Sequence, residues 1–529
     1  MSYMLWGGSS VRQMKRLFKA SVLLLCCLLL ASCAPQKAQE NTPVTLTALQ
    51  YELENQVINF SDMWFYDQLE EKTNVHVDFV DVKDADWATR ISLMFASRNY
   101  TDMILRGSLD TEEYGVAQHL LVPLDEYLEE HMPNYFERLS ATPVGSMIPS
   151  SDGNSYYIGF LLSQNITTDG HFFINRSWLD KLNLSVPTTI DELTEVLRAF
   201  RDGDPNGNGL KDEIPYQATF DDNNTGIYNV FSAWGIPMNI DYVFIHDDGS
   251  IHFAPEEDGF RQGVEWLHLL CREKLLDIAC ITQGSNLWGA KVNEGTAGYF
   301  SYWRLSNTVL PAELAAQFEC MLPVAAQGYP ARLTRLSDVV EFGASLTVQN
   351  KNIPASLRWL DAQMDTETML VSQNGPMGDM LRLNDDGRYE VVYVPETNEL
   401  YSIVPVICGQ FFAPAEYYER VYVPAPHREE KTRYSKMYDA ADVLEKESYR
   451  TLTYAMPMTS SESARLLQLH TQLKTAIDRA LVDFMTNGVT DESYAAFEQS
   501  LKDIGSEEYK AIYQAAYDRY LTRQEVAAQ

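Results

Sequence analysis

The stretch "NVHVDFVDVKDADWATRISLMFASRNYTDMILRG", residues 74–107, changes its hydrophobic pattern twice. It opens with alternating apolar and polar residues, which is typical of a β-strand with one buried face. Trp87, Ile91, Met94 and Phe95 then recur at helical spacing and predict one buried helix face. The apolar run "MIL" predicts another strand. A strand, a helix and a second strand in this order predict a parallel sheet with a right-handed crossover.

The neighbouring segments extend this alternation. "VTLTALQYEL" (44–53) is β-rich and "MWFYDQLEEKT" (63–73) is helical, so the first block is predicted to be βαβαβ. A second block starts near residue 170, where "HFFINRSWLDKL" predicts a strand followed by a helix. The helix after it opens with a capping box formed by Thr189 and Glu192. From about residue 460 the pattern is helical, so we predict an α/β fold with a helical C-terminal part.

Length and charge restrict the function classes. A chain of 529 residues is expected to form two or three domains or two large lobes. Its hydrophobic content of 45% is typical of a well-packed globular protein. The formal net charge of −33 excludes a nucleic-acid partner from our expectations, because a phosphate backbone would be repelled.

The N-terminus has the features of an export signal. Four basic residues, Arg12, Lys15, Arg16 and Lys19, precede the apolar run "ASVLLLCCLLLA". The run ends in "LASC", which resembles the lipobox of bacterial lipoproteins, where the Cys becomes lipidated after cleavage. We therefore expect residues 1–32 to be a lipoprotein signal peptide, Cys33 to carry the lipid and residues 33–43 to be a tether. The alternative is an ordinary secretory signal with a Cys there by chance.

Further stretches follow the lipobox in chain order. They are "NYTDMIL" (99–105), "LLVPLDEYLEEHMPNY" (120–135), "FFINRSWLDKLNLSVPTTIDEL" (172–193), "VNEGTAGYFSYW" (292–303) and "YQAAYDRYL" (513–521). Together they resemble the extracellular solute-binding lipoproteins of bacterial ABC importers, of the large oligosaccharide-binding type (family 1). The similarity is thinner between about residues 360 and 460.

This resemblance implies a two-lobed periplasmic-binding-protein-like fold of the class II type, with the ligand in a cleft between the lobes. Lobe 1 would comprise 44–162 plus 340–408, and lobe 2 would comprise 163–339 plus 409–529. It also implies that the protein is not an enzyme: it would bind a sugar or oligosaccharide and deliver it to ABC permease subunits. We expect a monomer held by its lipid on the outer face of the cytoplasmic membrane.

The stretch "RDGDPNGNGLKDEIPY" (201–216) suggests a calcium site, because calcium takes six to eight oxygen ligands from short, flexible segments. An EF-hand-like loop could run from Asp202 to Glu213 and turn at Gly207. In a second arrangement the loop turns at Gly209. Its ligands would be Asp204, Asn206, Asn208, the carbonyl of Leu210, Asp212 and Glu213. The resembling solute-binding proteins use the second arrangement, so we predict a structural Ca²⁺ there. The alternative is a turn rich in Asn and Asp that binds nothing.

Candidate ligand residues combine aromatic and polar groups, because a sugar has an apolar face and a hydroxyl rim. Trp303 in "GYFSYW" is the first candidate, and the resemblance places an aromatic residue of this turn in the cleft. The others are Trp234, Trp64 and Trp288, with core packing as the alternative role for each Trp. Asp102 and Arg106 flank a predicted strand end, where they could instead form a surface ion pair.

Other function classes have less support in the sequence. A secreted glycosidase would need two suitably spaced carboxylates, and 74 acidic residues make such a pair uninformative. The sequence lacks G-x-S-x-G, H-E-x-x-H and P-loop motifs, and it lacks the repeats of an adhesin. A non-sugar solute such as a peptide remains an alternative ligand. The sequence leaves open whether four cysteines are free or bridged: Cys271, Cys280, Cys320 and Cys408.

Overall fold

The first block forms a mixed five-stranded sheet in the order β2-β1-β3-β11-β4 in the computed structural model. Its strands are β1 Val44–Glu52, β2 Val75–Lys83, β3 Met103–Leu105, β4 Ile158–Leu162 and β11 Val339–Leu346. Strands β1 and β3 are parallel as predicted, whereas β11 is antiparallel to both β3 and β4. The sheet as a whole is mixed because β4 and β11 join the predicted βαβαβ block, and β11 enters from a distant part of the chain.

The structure describes residues 43–527 except 53–58, 141–147, 163–167, 169, 221, 223, 306–309, 336–338, 394–401, 406–421, 424–425 and 447–457. Residues Thr45–Gln529 form one compact unit by their contacts.

The second block forms a four-stranded sheet in the order β10-β5-β9-β6. Its strands are β5 His171–Asn175, β6 Ile214–Tyr216, β9 Ala297–Tyr302 and β10 Phe318–Met321. Strand β9 is parallel to β6 and antiparallel to β5. All five residues of β5 are buried, because helices cover both faces of the sheet. Phe172 and Ile174 belong to one hydrophobic core cluster, whereas Phe173 belongs to a second hydrophobic core cluster.

Two smaller sheets complete the β-structure. One is a hairpin, and the other is a three-stranded sheet within the 360–460 region. Their strands are β7 Val243–Ile245, β8 Ile251–Phe253, β12 Leu381–Leu383, β13 Tyr389–Val391 and β14 Tyr422–Val423.

The helices follow the predicted amphipathic patterns. The α-helices are α1 Trp64–Thr73, α2 Asp84–Ser97, α3 Asp125–His131, α4 Pro133–Ser140, α5 Arg176–Leu182, α6 Ile190–Asp202, α7 Asp258–Arg272, α8 Ser285–Asn293, α9 Ala312–Ala315, α10 Ile353–Asp361, α11 Thr366–Asn374, α12 Pro426–Ala440, α13 Ser460–Asn487, α14 Asp491–Ile504 and α15 Ser506–Ala527. Short 3₁₀ helices span Phe60–Asp62, Ile227–Trp234, Ala254–Glu256, Ile278–Ile281 and Ala362–Met364, and a π-helix spans Glu112–Ala117. Within the described ranges, no helix combines the length and apolar character needed to cross a membrane.

The C-terminal helices belong to the second block. Helix α13 packs along α7, and α14 and α15 pack against α13. Arg523 of α15 also reaches the first block, where it donates hydrogen bonds to the carbonyls of Pro149 (2.5 Å) and Ser150 (3.2 Å). The residue bounds of the two lobes stay a prediction. Two separate sheets support the division, and contacts such as that of Arg523 join the two blocks.

Candidate ligand-binding cleft

The two large sheets are connected through their carboxyl edges. Strand β4 ends at Leu162, which pairs with Val339 at the start of β11, beyond the carboxyl end of β3. In the second sheet His171, the first residue of β5, pairs with Tyr302 at the end of β9. The ends of β4 and β9 and the starts of β5 and β11 therefore lie at the edges where open α/β sheets bind ligands.

Trp303 lies at the carboxyl edge of the second sheet. It follows the last residue of β9, and its side chain is only partly buried. Its carbonyl oxygen lies 3.1 Å from Nδ1 of His171, which fixes the backbone at this strand end. Trp303 thus has the position and exposure that a sugar-stacking residue needs.

Two charged residues flank this aromatic edge. Burial raises the pKa of the Tyr302 hydroxyl; the Arg304 charge lowers this pKa, and the Asp222 charge raises it further. Asp222 and Arg304 therefore lie close enough to Tyr302 to affect its ionisation. Asp222 was missed by the sequence prediction, although the polar run "DDNNTG" (221–226) marks the segment. The edge combines an aromatic surface with charged hydrogen-bonding groups.

A buried amide lies near the same edge. Gln217 follows β6, is 0% exposed, and donates its backbone N–H to the carbonyl of Tyr299 (2.9 Å). Neither polar atom of its side chain has a hydrogen-bond partner among the described residues. Buried amides without partners are rare, so Gln217 is a candidate group for a ligand hydroxyl or a water. A single glutamine after a strand gives no sequence signal for this role.

The carboxyl edge of the first sheet contains two of the predicted residues. Trp64 is the first residue of α1, the helix that follows β1, and it is partly exposed. Arg106 directly follows β3 in a left-handed backbone conformation (φ 55°) and donates its N–H to the carbonyl of Gly343 (2.9 Å). Gly107 continues this turn at φ +67°, where a Cβ would lie 2.4 Å from the ring of Trp87. The turn fixes the direction in which the chain leaves the edge.

Asp102 lies at the opposite end of the same strand. Its carboxylate accepts hydrogen bonds from the backbone N–H (2.8 Å) and the hydroxyl (2.9 Å) of Thr47 in β1. Four residues along a strand separate it from Arg106 by roughly 13 Å. The structure therefore does not bring Asp102 and Arg106 together, and it gives Asp102 a role in joining β1 to β3.

Trp234 and Trp288 are packed as core residues. Trp288 is 2% exposed, and its ring stacks under Tyr302 at a centroid distance of 5.0 Å. Trp234 is 5% exposed and packs against Trp266. Their predicted ligand contact has no support in these positions, and the proposed cleft retains only Trp303 and Trp64 of the four candidates.

The predicted calcium loop forms a compact network of its own polar groups. Asp204 accepts the N–H groups of Gly207 (3.1 Å) and Gly209 (3.2 Å). Asp212 accepts the side-chain amides of Asn206 (2.9 Å) and Asn208 (2.9 Å). These amide hydrogen bonds lower the pKa of Asp212.

Glu213 is the last residue of this loop, and its carboxylate has no cationic partner among the causes of its pKa shift. Its Oε1 is buried and has no hydrogen-bond partner within the described part of the chain. Burial raises the pKa of Glu213, and the charges of Asp212 and Asp204 raise it further. A buried carboxylate oxygen beside two further carboxylates fits a hard cation, since a cation would remove both the repulsion and the desolvation penalty.

The structure shows whether three of the four cysteines are free or bridged. Cys271, Cys280 and Cys320 are free thiols, and burial raises the pKa of each. Cys408 and the predicted lipidation residue Cys33 lie outside the described residues.

Residues 46–248 match the family of bacterial extracellular solute-binding proteins. The match covers less than half of the chain, so the chain is similar to this family over that segment. Among curated relatives, the fructooligosaccharide ABC transporter substrate-binding protein FusA of Streptococcus pneumoniae serotype 4 (strain ATCC BAA-334 / TIGR4) is 24% identical over 541 residues. That alignment covers 96% of this chain and 98% of FusA.

Solved structures show the same fold. An extracellular solute-binding protein from Bifidobacterium longum subsp. infantis matches with a TM-score of 0.79 at 21% identity, covering 91% of this chain and 99% of its own. A FusA EF-hand mutant from S. pneumoniae in complex with fructo-nystose matches with a TM-score of 0.77 at 21% identity, covering 90% and 99%. The predicted two-lobed α/β fold is confirmed. The prediction of a binding protein rather than an enzyme is confirmed by the relatives as well.

Proposed function

We propose that this solute-binding protein is the substrate-binding component of an ABC importer and that its ligand is an oligosaccharide. The observation that carries the proposal is the partly exposed Trp303 at the carboxyl edge of the second sheet, next to Tyr302, whose ionisation the charges of Arg304 and Asp222 affect. The alignment with FusA along nearly the whole chain supports the same class of ligand.

The chemistry of the cleft suits a neutral sugar. A tryptophan ring covers the apolar face of a pyranose or furanose, and carboxylate and guanidinium groups bind its hydroxyls. Trp64 and Arg106 offer the same combination on the edge of the first sheet. A ligand held between both edges would be removed from water on two sides, which strengthens its hydrogen bonds.

Delivery requires a change between two arrangements of the lobes. The ligand contacts both edges only when the lobes are closed, so binding shifts the population towards the closed form. A permease that recognises the closed form would then receive the loaded protein. No covalent bond of the sugar changes in this cycle, and we expect the protein to act as a monomer.

Thermal unfolding tests the ligand class. We expect nystose or another oligosaccharide to raise the melting temperature of the purified protein, because a ligand of the folded state stabilises it by mass action. Peptides of similar size serve as the comparison. A shift with peptides alone would contradict the proposal. Shortening of the sugar during prolonged incubation would contradict it in favour of a glycosidase.

We also propose that residues 204–213 hold a structural calcium ion. The ligands would be Asp204, Asn206, Asn208, the carbonyl of Leu210, Asp212 and Glu213. The buried, unpartnered Oε1 of Glu213 supports a cation, and the known EF-hand mutant of FusA supports a calcium loop in related proteins. The ion would join the end of α6 to β6 and would take no part in chemistry.

We propose in addition that Cys33 anchors the protein through a lipid on the outer face of the cytoplasmic membrane. The "LASC" sequence at the end of the apolar run supports this. Mass spectrometry of the membrane-extracted protein should find a diacylglyceryl group on Cys33. A Cys33→Ser variant should lose the lipid and be released, and retention of that variant on the membrane would contradict the anchor.

A further inference from the structure

The β7–β8 hairpin brings together three metal-binding side chains that the sugar cleft and the calcium loop do not use. Phe244 pairs with His252 across the hairpin, so His246 and His252 share one face near the turn. Their rings stack with centroids 4.6 Å apart and an interplanar angle of 17°. Asp248 in the turn completes the group, and one donor atom from each residue lies within 4.8 Å of the others.

Glu257 determines which nitrogen of His252 faces the cluster. Oε1 of Glu257 lies 2.7 Å from Nδ1 of His252, so the carboxylate holds a proton on Nδ1. Nε2 is then directed to the turn, where it lies 3.1 Å from Oγ of Ser250. A carboxylate that accepts a hydrogen bond from a metal-binding histidine in this way is a recurring outer element of zinc sites.

The other two donors are also held in place. Oδ1 of Asp248 lies 3.2 Å from Nδ1 of His246 and accepts hydrogen bonds from the N–H (3.0 Å) and hydroxyl (2.5 Å) of Ser250. Gln514 of α15 fixes the hairpin, since it accepts the N–H of Ile251 (2.9 Å) and donates to the carbonyl of Gly249 (3.3 Å). The backbone of the turn is thus tied to a long helix, which reduces the entropy lost on binding an ion.

We propose that His246, Asp248 and His252 bind a zinc ion, with water completing its coordination. Two imidazoles and one carboxylate form a donor set that zinc takes in proteins, whereas calcium prefers oxygen ligands alone. His246 and Asp248 are exposed, so an ion can enter from solution. The net charge of −33 raises the local concentration of cations around the protein. This site is independent of the proposed sugar cleft and of the calcium loop.

Isothermal titration of the purified protein with zinc chloride, in excess calcium, tests the site. We expect one zinc ion per protein. His246→Gln and His252→Gln should each weaken binding, and Glu257→Gln should weaken it roughly tenfold because His252 loses its orienting partner. His119→Asn is the control, because His119 is exposed, lies outside the cluster and has a left-handed φ of 55° that Asn tolerates.

Each result of the zinc titration either supports or contradicts the proposed site. Unchanged melting temperatures of the variants without zinc would show that they fold. Loss of binding in the two histidine variants, with binding kept in His119→Asn, would establish the site. Zinc binding of equal strength in a His246→Gln/His252→Gln double variant would overturn the proposal, as would the absence of any zinc binding to the wild-type protein.

Discussion

Trp303 is the side chain on which the sugar-binding proposal depends most. We expect Trp303→Ala to weaken oligosaccharide binding by roughly 10–100-fold, because the lost apolar contact corresponds to about 1.5–3 kcal/mol. Trp303→Phe should recover part of the affinity, since a smaller ring still stacks. Titration calorimetry measures both variants. Leu467→Ala, at a position 68% exposed on α13, serves as the control. Equal affinity of Trp303→Ala and the wild type would remove Trp303 from the site.

Glu213 tests the calcium loop. We expect a chelator to lower the melting temperature of the wild-type protein and to leave that of Glu213→Gln unchanged, since the variant has lost a ligand. In chelator the variant should be at least as stable as the wild type, because it lacks a carboxylate crowded by Asp204 and Asp212. Scanning calorimetry with and without calcium measures this. The exposed Glu492→Gln should behave as the wild type, and a wild type indifferent to chelator would contradict the loop.

Asp81 predicts a pH dependence of stability. Burial raises its pKa to about 6, and its Oδ1 is buried without a partner within the described residues. The folded state therefore binds the proton more tightly than the unfolded state, whose ordinary pKa is 3.8. The contribution of Asp81 to stability is present below about pH 4 and is lost as the pH rises through about 6.

Asp81→Asn should accordingly stabilise the protein at neutral pH. We expect a gain of about 1–2 kcal/mol at pH near 7.5, discounted for the partial exposure of the side chain, and little change near pH 4. Denaturant unfolding at both pH values measures the difference, with the exposed Asp385→Asn as control. A gain of the same size at both pH values would contradict the assignment to ionisation.

The tryptophans show what the sequence cannot predict about single residues. All four candidates were chosen by residue type and position in the chain, yet Trp234 and Trp288 are in the core and Trp64 and Trp303 are at sheet edges. Whether an aromatic residue is buried depends on tertiary neighbours such as Trp266 and Tyr302, which no local pattern encodes.

The start of helix α6 tests how much a local capping signal in the sequence contributes to the stability of a helix. The predicted capping box is present, with Thr189 and Glu192 each bonding the other's backbone. We expect Thr189→Ala to lower the free energy of unfolding by about 1 kcal/mol, because a backbone N–H at the helix start loses its acceptor. Urea unfolding measures the loss. The neighbouring exposed Ser185→Ala should have little effect, and equal losses in both variants would contradict the capping role.

The strands and helices that local patterns encode were predicted well. The buried face of α2, formed by Trp87, Ile91, Met94 and Phe95, is confirmed. Helix α13 ends at Asn487 and is followed by Gly488 at φ 87°, as expected of an Asn-Gly pair. The sheet order was not predictable, because β11 joins β3 and β4 from more than a hundred residues away. Asp102 was misplaced for a geometric reason, since a strand of three residues puts its two flanks at opposite edges of the sheet.

The molecule as a whole combines two large sheets, and β4 and β5 follow one another at their carboxyl edges. The proposed cycle, in which the protein closes on a solute and opens to release it, needs a ligand surface on each of these edges. Resemblance in the sequence was sufficient to predict this architecture, because it rests on motifs distributed over both blocks. The positions of Asp222 and Gln217 required the structure, since both residues lie in loops whose neighbours are set by the fold.

Titration calorimetry of the wild-type protein with nystose is the most direct test of oligosaccharide binding. Saturable binding of one sugar per protein, abolished or strongly weakened in a Trp303→Ala/Trp64→Ala double variant, is the predicted result. If neither nystose nor any other oligosaccharide produces a binding isotherm with a protein that unfolds cooperatively, the proposal that this protein captures oligosaccharides is contradicted.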